Sequence, residues 1–519
     1  MAEVVRETEQ KFAVPEGFQV PDLVGAGPVT GVSGPQTHDL VAVYLDTDDL
    51  RLAREGITLR RREGGDDAGW HLKLPVGGSS RDEVRLPLDA VPDGGVPGEL
   101  AGLVTAVARG LPLAPVATLR TTRSVTLLLS GEDVLAEVAL DVVTTDVATT
   151  DVATGSTAGS TADGAARFAE LELEQRPGTD GAALAEVVER LVAAGAEPGG
   201  LVPKLVQALR SRATAPSDVP PPPRHVPASA PAADLVRAHV ATQVRALRAA
   251  DLGVRRGEED AVHQVRVAAR RLRSGLRVFR PLLQRAWADD LRAELGWLAG
   301  ELGGARDGEV LAERLQAALG DLPAEVDAAT TGAWLDRTLA TGADGSRTAA
   351  LDALGSERYL RLLDRLVEAA TTPAATDAAQ EPCADALPPL VGKAWRRLAR
   401  EAEALTLEGH DDDWHEARKS AKAVRYAAEA VAPALGKPAK KLARQVERVT
   451  ELLGDHQDAA VAATALVRLT EAPGTDARAA FGLGVLYAAQ RDDVRAARED
   501  FVAVWPRVAH AKHRRWLER

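Results

Sequence analysis

Four consecutive prolines, Pro220–Pro223, separate two stretches of this chain that have different sequence patterns. The surrounding segment, TAPSDVPPPPRHVPASAPA, is expected to be stiff and extended, because proline fixes φ and donates no backbone hydrogen bond. Short β-like runs between Gly, Pro and Asp clusters precede it, and long Ala-, Leu- and Arg-rich runs follow it. We therefore predict a multidomain α+β protein with a β domain at residues 1–213, a linker at 214–231 and an all-α domain at 232–519.

Charged residues occupy one face of most predicted strands in the first domain. Residues two apart in a strand point to the same side of the sheet, so Glu7, Glu9 and Lys11 share a face. Five further runs repeat the pattern: Arg60 and Arg62, His71 and Lys73, Glu83 and Arg85, Glu137 and Asp141, and Glu170, Glu172 and Glu174. For any single strand, a face turned towards water explains such a pattern. Its repetition favours a closed barrel whose charged side lines a hydrophilic tunnel and whose apolar side faces helices.

Such a lining needs compensation, because clustered like charges are costly to desolvate unless each meets an opposite charge. A phosphate chain bound with Mg²⁺ or Mn²⁺ would satisfy both sets of charges. Hard divalent cations prefer carboxylate oxygens, while Arg and Lys bind phosphate oxygens. The alternative is that the carboxylates and the cations pair with each other across the barrel.

A series of short motifs carries a family resemblance. They are ExExK (Glu7–Lys11), YLDT (Tyr44–Thr47), LRRR (Leu59–Arg62), WHLKLP (Trp70–Pro75), RDE (Arg81–Glu83), AEVALD (Ala136–Asp141), FAELELE (Phe168–Glu174) and PKL (Pro203–Leu205). In this order and spacing they resemble the CYTH superfamily, the triphosphate tunnel metalloenzymes. The resemblance implies an antiparallel eight-stranded β tunnel with flanking helices that hydrolyses tripolyphosphate or a related triphosphate with a divalent metal.

The same resemblance implies roles for individual residues. The metal-side acids would be Glu7, Glu9, Asp141, Glu170 and Glu172, and the first two would form the catalytic set together with Lys11. The substrate-binding cations would be Lys11, Arg60, Arg62, Lys73, Arg123 and Lys204. Arg120 is an alternative to Arg123, because RTTR offers two arginines and only one need point inward.

The implied chemistry is metal-assisted hydrolysis of a phosphoanhydride, which needs no nucleophilic Ser, Cys or His. The phosphate-binding loop motif of P-loop ATPases is absent from the sequence. Adenylate cyclases and thiamine triphosphatases use the same tunnel fold, so they stay open as alternatives. A scaffold that binds polyphosphate without turnover, associated with polyphosphate granules, is the alternative from another functional class.

The helical domain contains an internal duplication. HQVRVAARRLR and HEARKSAKAVR place a histidine and three cations at the same spacing, which at 100° per residue puts the four side chains within roughly 80° of one helix face. LGGARD follows the first copy and LGDHQD the second. Two motifs repeated in one order indicate duplicated helical bundles, with halves at about 232–375 and 386–519.

The first basic copy carries seven Arg and no acid between His263 and Arg285, within a protein of net charge −13. A solvated face explains an isolated basic helix. Here the stripe recurs in register, and its like charges would repel unless an anion covers them. A metal site at the histidines is disfavoured, because helical metal bundles use Glu-x-x-His combinations and here an Arg stands three residues after each His.

The duplicated helices resemble the CHAD domain, the conserved histidine α-helical domain. The resemblance implies two four-helix bundles related by a pseudo-twofold axis, with a central groove that binds inorganic polyphosphate. The groove contacts carried over are His263, Arg266, Arg270, Arg271, Arg273, His415, Arg418, Lys419, Lys422 and Arg425. Nucleic acid is the rival ligand, but aromatic residues make up only 3% of the chain, so base stacking has little support.

The sequence also bears on location. The single cysteine, Cys383, cannot form an intrachain disulfide, and the first residues are charged rather than apolar, so the cytoplasm is the expected compartment. The sequence contains no run of about 18 apolar residues, so no membrane span is predicted. We therefore expect an Mg²⁺- or Mn²⁺-dependent inorganic triphosphatase tethered to a polyphosphate-binding helical domain, with polyphosphate granules as its location.

Overall fold

A computed structural model describes residues 3–77, 80–91, 95–147, 167–176, 178–199, 203–209, 212–213, 215–472 and 474–518. Within these ranges, the side chains at 3, 7, 77, 146–147, 304–310 and 340–347 lie outside the description. The chain forms two compact units, Met1–Asp218 and Val219–Arg519.

The first unit is built on antiparallel strands. They are β1 (Glu3–Val14), β2 (Gly31–Val32), β3 (Gln36–Asp46), β4 (Thr58–Glu63), β5 (Gly69–Gly77), β6 (Ser80–Leu86), β7 (Ala114–Ser130), β8 (Asp133–Val147), β9 (Arg167–Gln175) and β10 (Glu197–Gly199). Among the described residues, eight strands pair in the order β1-β6-β5-β4-β3-β7-β8-β9, and β9 pairs back with β1 to close a barrel. β10 adds to β1 and β2 adds to β7. The predicted eight-stranded antiparallel barrel is confirmed.

Short helices follow or connect the strands of this barrel. They are α1 (Arg51–Arg54), α2 (Gly98–Leu103), α3 (Thr105–Ala108), α4 (Ala185–Ala193) and α5 (Lys204–Leu209). Leu171 and Leu173 of β9 pack in one core with Val187 and Leu191 of α4 on the outside, so the alternating charged residues of β9 face the interior. A second core joins α5 to inward-facing residues of β3, β7 and β8, which include Tyr44, Leu119 and Val143. α5 therefore packs against the interior face of these strands.

The second unit is helical, as predicted. Its helices are α6 (Ala232–Arg256), α7 (Ala261–Val278), α8 (Arg285–Glu301), α9 (Gly303–Leu319), α10 (Ala328–Gly355), α11 (Glu357–Thr371), α12 (Cys383–Ala404), α13 (Asp411–Leu435), α14 (Lys437–Thr470) and α15 (Ala477–Val508). Side-chain caps begin several of them: the Asp327 carboxylate accepts from the Thr330 N–H at 2.9 Å, and the Asp476 carboxylate accepts from the Ala479 N–H at 2.8 Å. α7 and α13 carry the two basic copies, and they pack against each other.

Residues 219–231 of the predicted linker pack against the helical unit and belong to it. Val219 and Val226 are buried. The Val226 N–H donates to the Pro433 carbonyl at 3.2 Å, and Arg245 Nη1 donates to the Val219 carbonyl at 2.8 Å. Prolines in an extended segment leave few backbone donors, so this segment packs on helices through apolar contacts and a few carbonyl acceptors. In the described part of the chain, no helix has the length and apolar character needed to cross a bilayer.

Candidate functional site

The barrel encloses a cavity of about 430 Å³, within the size range of small-molecule sites. The predicted residues that line it are Glu9, Lys11, Arg60, Arg62, Lys73, Arg123, Glu172 and Lys204. Glu7 is predicted as a metal ligand and catalytic residue, and its side chain lies outside the described residues. Arg123 lines the cavity, whereas Arg120 is exposed. Arg120 and Arg123 are three residues apart in β7, so their side chains point to opposite faces of the strand. Arg123 stands opposite Asp141 of β8 and points with it into the barrel.

Asp141, Glu170 and Glu172 form a buried acidic cluster on one side of the barrel. One oxygen from each carboxylate lies within 4.8 Å of the others. Asp141 of β8 stands directly opposite Glu170 of β9, and Glu172 follows on the same face of β9. Like charges opposite each other in a sheet are unfavourable, so this arrangement needs cations.

Three cations meet this acidic cluster. Lys204 Nζ, at the start of α5, lies 2.9 Å from Asp141 Oδ2, 2.6 Å from Glu170 Oε1 and 2.7 Å from Glu172 Oε1. Arg123 Nε and Nη2 donate to the two oxygens of Asp141 at 2.8 and 2.7 Å. Lys11 Nζ pairs with Glu172 and lies 3.4 Å from Glu170 Oε1. For this cluster, the alternative in which carboxylates and cations pair with each other therefore holds.

Burial alone would raise the pKa of Asp141, but Lys204 and Arg123 hold it below its usual range. Burial likewise raises the pKa of Glu172, while Lys11, Lys204 and Arg123 together hold it well below that range. Both carboxylates are therefore ionised at neutral pH. Three carboxylates with converging oxygen atoms, at least two of them charged, are suitable ligands for a hard divalent cation. In this structure Lys204 Nζ lies within hydrogen-bonding distance of an oxygen of each carboxylate.

Glu83 organises a second charged cluster, the cation cluster, which includes Arg60, Lys73 and Arg85. His71 also meets Glu83, but burial lowers the pKa of His71 to about 4, so its ring is neutral at neutral pH. The buried Oε1 of Glu83 lies 3.0 Å from His71 Nδ1, 3.6 Å from Lys73 Nζ and 3.7 Å from Arg60 Nη2, and Arg85 pairs with the other oxygen. Burial raises the pKa of Glu83, but Lys73, His71 and Arg60 hold it well below its usual range. Sequence reasoning placed Glu83 and Arg85 on the charged face but assigned them no role. The signal was one acid placed between two arginines, Arg81 and Arg85, on the same strand face.

Arg60 of the cation cluster and its neighbour Arg62 each bury an Nε–H group that has no hydrogen-bond partner among the described residues. Burial disfavours the charged form of Arg60, but Tyr44 and Glu83 hold the pKa of Arg60 above its usual range, so Arg62 is the one that lacks compensating charge. Arg62 contacts the Asp67 carboxylate, yet burial, followed by repulsion from Arg60 and Arg123, lowers the pKa of Arg62 to about 9. Buried donors without acceptors are costly. The cation side of the cavity therefore offers unused donors and excess positive charge to an anion.

In the helical unit, α7 and α13 bring the two basic copies together. Arg270 Nε donates to Tyr426 Oη at 3.1 Å, which joins the first copy to the second. Burial lowers the pKa of Lys422 to about 7, and repulsion from Arg418 and Arg270 adds to this effect. Arg418 has a buried Nε with no hydrogen-bond partner in the described part of the chain. These four side chains form the convergent part of the predicted groove.

Other predicted groove residues have local partners. Arg271 Nη2 lies 3.3 Å from Glu429 Oε2, and Arg425 Nε donates to Glu429 Oε1 at 2.8 Å. Lys419 pairs with Glu416 at the surface. Arg266 Nη1 donates to the Gly303 carbonyl at 3.1 Å, and His415 Nδ1 lies 2.5 Å from Gln457 Oε1. His263 is half-buried and Arg273 is exposed. Most side chains of the LGGARD motif lie outside the described residues.

Comparisons with known proteins match both halves of the chain. A family model described as the CYTH domain matches residues 5–198, and one described as the CHAD domain matches residues 238–467. An uncharacterized protein of Mycobacterium tuberculosis is 37% identical over 516 residues, covering 96% of this chain and 95% of that protein. PptA from Streptomyces chartreusis is 31% identical, with 53% of this chain and 99% of that chain covered and a TM-score of 0.46. The CHAD domain from the plant Ricinus communis is 25% identical, with 53% and 94% covered and a TM-score of 0.43.

Proposed function

This chain belongs to the CYTH and CHAD families, and on that premise we propose that it is an inorganic triphosphatase tethered to a polyphosphate-binding domain. The β tunnel would hydrolyse tripolyphosphate with Mg²⁺ or Mn²⁺. The helical groove would hold inorganic polyphosphate, which raises the local concentration of phosphate chains and places the enzyme on cytoplasmic polyphosphate granules. Membership in both families confirms the resemblance drawn from the motifs.

The observation that carries the tunnel proposal is the pair of buried Nε atoms of Arg60 and Arg62. A folded protein rarely buries donors without partners, so their acceptors are supplied by a ligand. The cavity has a volume of about 430 Å³, and the described residues that line it include nine cations and seven carboxylates. The oxygens of a phosphate chain would accept hydrogen bonds from both unused donors, and its negative charge suits the arginines that carry them.

The acidic cluster provides the metal side of the proposal. Asp141, Glu170 and Glu172 supply carboxylate oxygens, which Mg²⁺ and Mn²⁺ prefer. A divalent cation bound there would neutralise phosphate charge and lower the pKa of a water molecule. Lys204 and Arg123, which now donate to these carboxylates, would donate instead to phosphate oxygens.

The residues on the cation side of the cavity have separate roles in the proposed reaction. Arg60, Arg62 and Lys73 orient the phosphate chain from the cation side and stabilise charge on the leaving phosphate. Glu83 keeps Arg60 and Lys73 in place. The closed barrel excludes bulk water, which strengthens each of these interactions.

Phosphate release from tripolyphosphate by the purified full-length protein, with Mg²⁺ or Mn²⁺, tests the proposal. We expect release that is lost in Glu170→Gln/Glu172→Gln and in Glu7→Ala/Glu9→Ala. The matched control is Glu189→Gln, an exposed glutamate on α4 outside the barrel, which keeps full activity. If the unmodified protein releases no more phosphate than the double variants, the triphosphatase proposal is wrong and the non-catalytic scaffold is the remaining function. Parallel assays with ATP and thiamine triphosphate decide among substrates, and formation of cyclic AMP would identify a cyclase instead.

A further inference from the structure

A second basic cavity lies in the helical unit, away from the residues assigned to the groove. Its volume is about 890 Å³, and it is formed by the end of α7, the start of α8, α12 and part of α13. Among the described residues that line it are eight cations and one carboxylate. We name the cations the basic pocket: Arg277, Arg280, Arg285, Arg292, Lys393, Arg396, Arg397 and Arg400.

Few carboxylates neutralise the basic pocket. Asp289 pairs with Arg280 and Arg292, and Glu401 pairs with Arg397, which also lies 3.8 Å from Glu416 Oε2. Within the described ranges, the other five cations have no carboxylate oxygen within 4.0 Å: they are Arg277, Arg285, Lys393, Arg396 and Arg400. The buried Nε of Arg292 also has no hydrogen-bond partner there. An overall charge of −13 would ordinarily supply acids to such a patch, so their scarcity here indicates an anionic ligand.

The basic pocket lies at the end of the row of arginines along α7 that was predicted to line the groove. Arg266, Arg270, Arg273 and Arg277 follow at intervals of three and four residues, which keeps them along one face of α7. Repulsion from Arg273 contributes to a lowered pKa of Arg277, after larger effects of burial, Arg397 and Arg292. A chain bound along this stripe therefore reaches the pocket without crossing an acidic surface of α7.

The second copy does not repeat this extension. The position that corresponds to Arg277 is occupied by Glu429, which pairs with Arg271 and Arg425. The basic stripe on α7 therefore runs further along its helix than the stripe on α13 does. The histidine and three cations that align between the two motifs do not reveal this difference.

We infer that the basic pocket is a binding site for condensed phosphate that extends the groove at one end. The inference rests on the proposed polyphosphate binding and adds residues that are not among the groove contacts implied by the motifs. The described residues that line the pocket include no aromatic side chain for base stacking, whereas they offer many guanidinium groups for phosphate oxygens. A bare phosphate chain therefore suits it better than a nucleic acid.

The test measures binding of long-chain inorganic polyphosphate to the full-length protein by fluorescence anisotropy over a series of salt concentrations. Arg277→Glu/Arg396→Glu/Arg400→Glu changes three exposed pocket residues. We expect affinity at least about tenfold weaker and a shallower dependence on salt, because fewer counterions are displaced. If circular dichroism shows that this variant is unfolded, Arg277→Gln/Arg396→Gln/Arg400→Gln is measured, with an expected loss of about threefold or more.

The matched control is Arg337→Glu/Arg468→Glu/Arg478→Glu, which makes the same charge change at exposed positions outside the pocket. Equal affinities of the pocket and control variants would overturn the inference while leaving the proposed polyphosphate binding intact. Failure of the unmodified protein to bind polyphosphate would overturn both. Binding of single-stranded DNA as tight as that of polyphosphate would overturn the choice of ligand.

Discussion

Lys204 places its Nζ atom 2.9 Å from Asp141 Oδ2, and the two charged groups are almost fully buried. The lysine begins a helix after the last long strand, whereas the aspartate lies in the middle of β8. Because Lys204 also meets Glu170 and Glu172, one ammonium group neutralises the cluster that fits a metal ion. A divalent cation bound at the cluster, as proposed, would therefore compete with Lys204 for the same carboxylates.

Lys204→Met tests this competition. The variant leaves the carboxylates with Lys11 and Arg123 alone, so without divalent cations we expect the free energy of unfolding to fall by about 3–5 kcal/mol. Added Mg²⁺ should raise the melting temperature of the variant more than that of the unmodified protein, because no ammonium group competes. Lys204→Arg, which keeps the charge, is the control. Identical melting curves in EDTA would disprove the role of Lys204.

Glu83→Gln should unbalance the cation cluster. The change removes the buried carboxylate that meets Arg60, Lys73 and the neutral His71 ring, so uncompensated repulsion between Arg60 and Lys73 lowers stability by about 3–5 kcal/mol. Tripolyphosphate without metal should then raise the melting temperature of the variant more than that of the unmodified protein, because an anion replaces the lost charge. Differential scanning fluorimetry measures both effects. Equal responses to tripolyphosphate would refute the prediction.

Arg62→Gln should separate stability from substrate binding. Burial, Arg60 and Arg123 lower the pKa of Arg62 to about 9, which means that Arg62 stays charged at neutral pH but at a cost to the stability of the unliganded protein. We expect an unchanged or higher melting temperature together with a KM for tripolyphosphate raised at least about tenfold, as for loss of a charge-assisted donor. Arg61→Gln is the control, because Arg61 lies on the opposite face of β4 and pairs with Glu63. An unchanged KM in Arg62→Gln would contradict the assignment.

Polyphosphate binding in the groove should weaken as pH rises through about 7. Burial and the neighbours Arg418 and Arg270 lower the pKa of Lys422 to about 7, so the lysine is charged below that pH and increasingly neutral above it. An anion binds the charged form, so binding is tighter on the acid side, and binding above about pH 7 is accompanied by uptake of a proton. Lys422→Arg stays charged and should flatten the change of Kd between about pH 6 and 8. A Kd profile that is the same in both proteins would argue against this role.

Much of the architecture follows from local sequence pattern. Alternation with a period of two, with acids and cations on one face and Leu or Val on the other, predicted the barrel with its charged interior, and Leu171 and Glu172 of β9 show both faces. The helical repeat predicted two basic helices. Both properties depend on spacing along one element, so a single segment carries the information.

Pairing between elements depends on contacts that no single segment contains. The sequence alone could not choose between Arg120 and Arg123, because the choice rests on how β7 is registered against β8. Nor could it place Lys204 among three carboxylates from two strands, since closure of the barrel and docking of α5 bring them together. The basic pocket joins α7 to α12, helices far apart in the chain. Local periodicity therefore determined which side chains face inward, and tertiary packing decided which charges neutralise each other and which remain for a ligand.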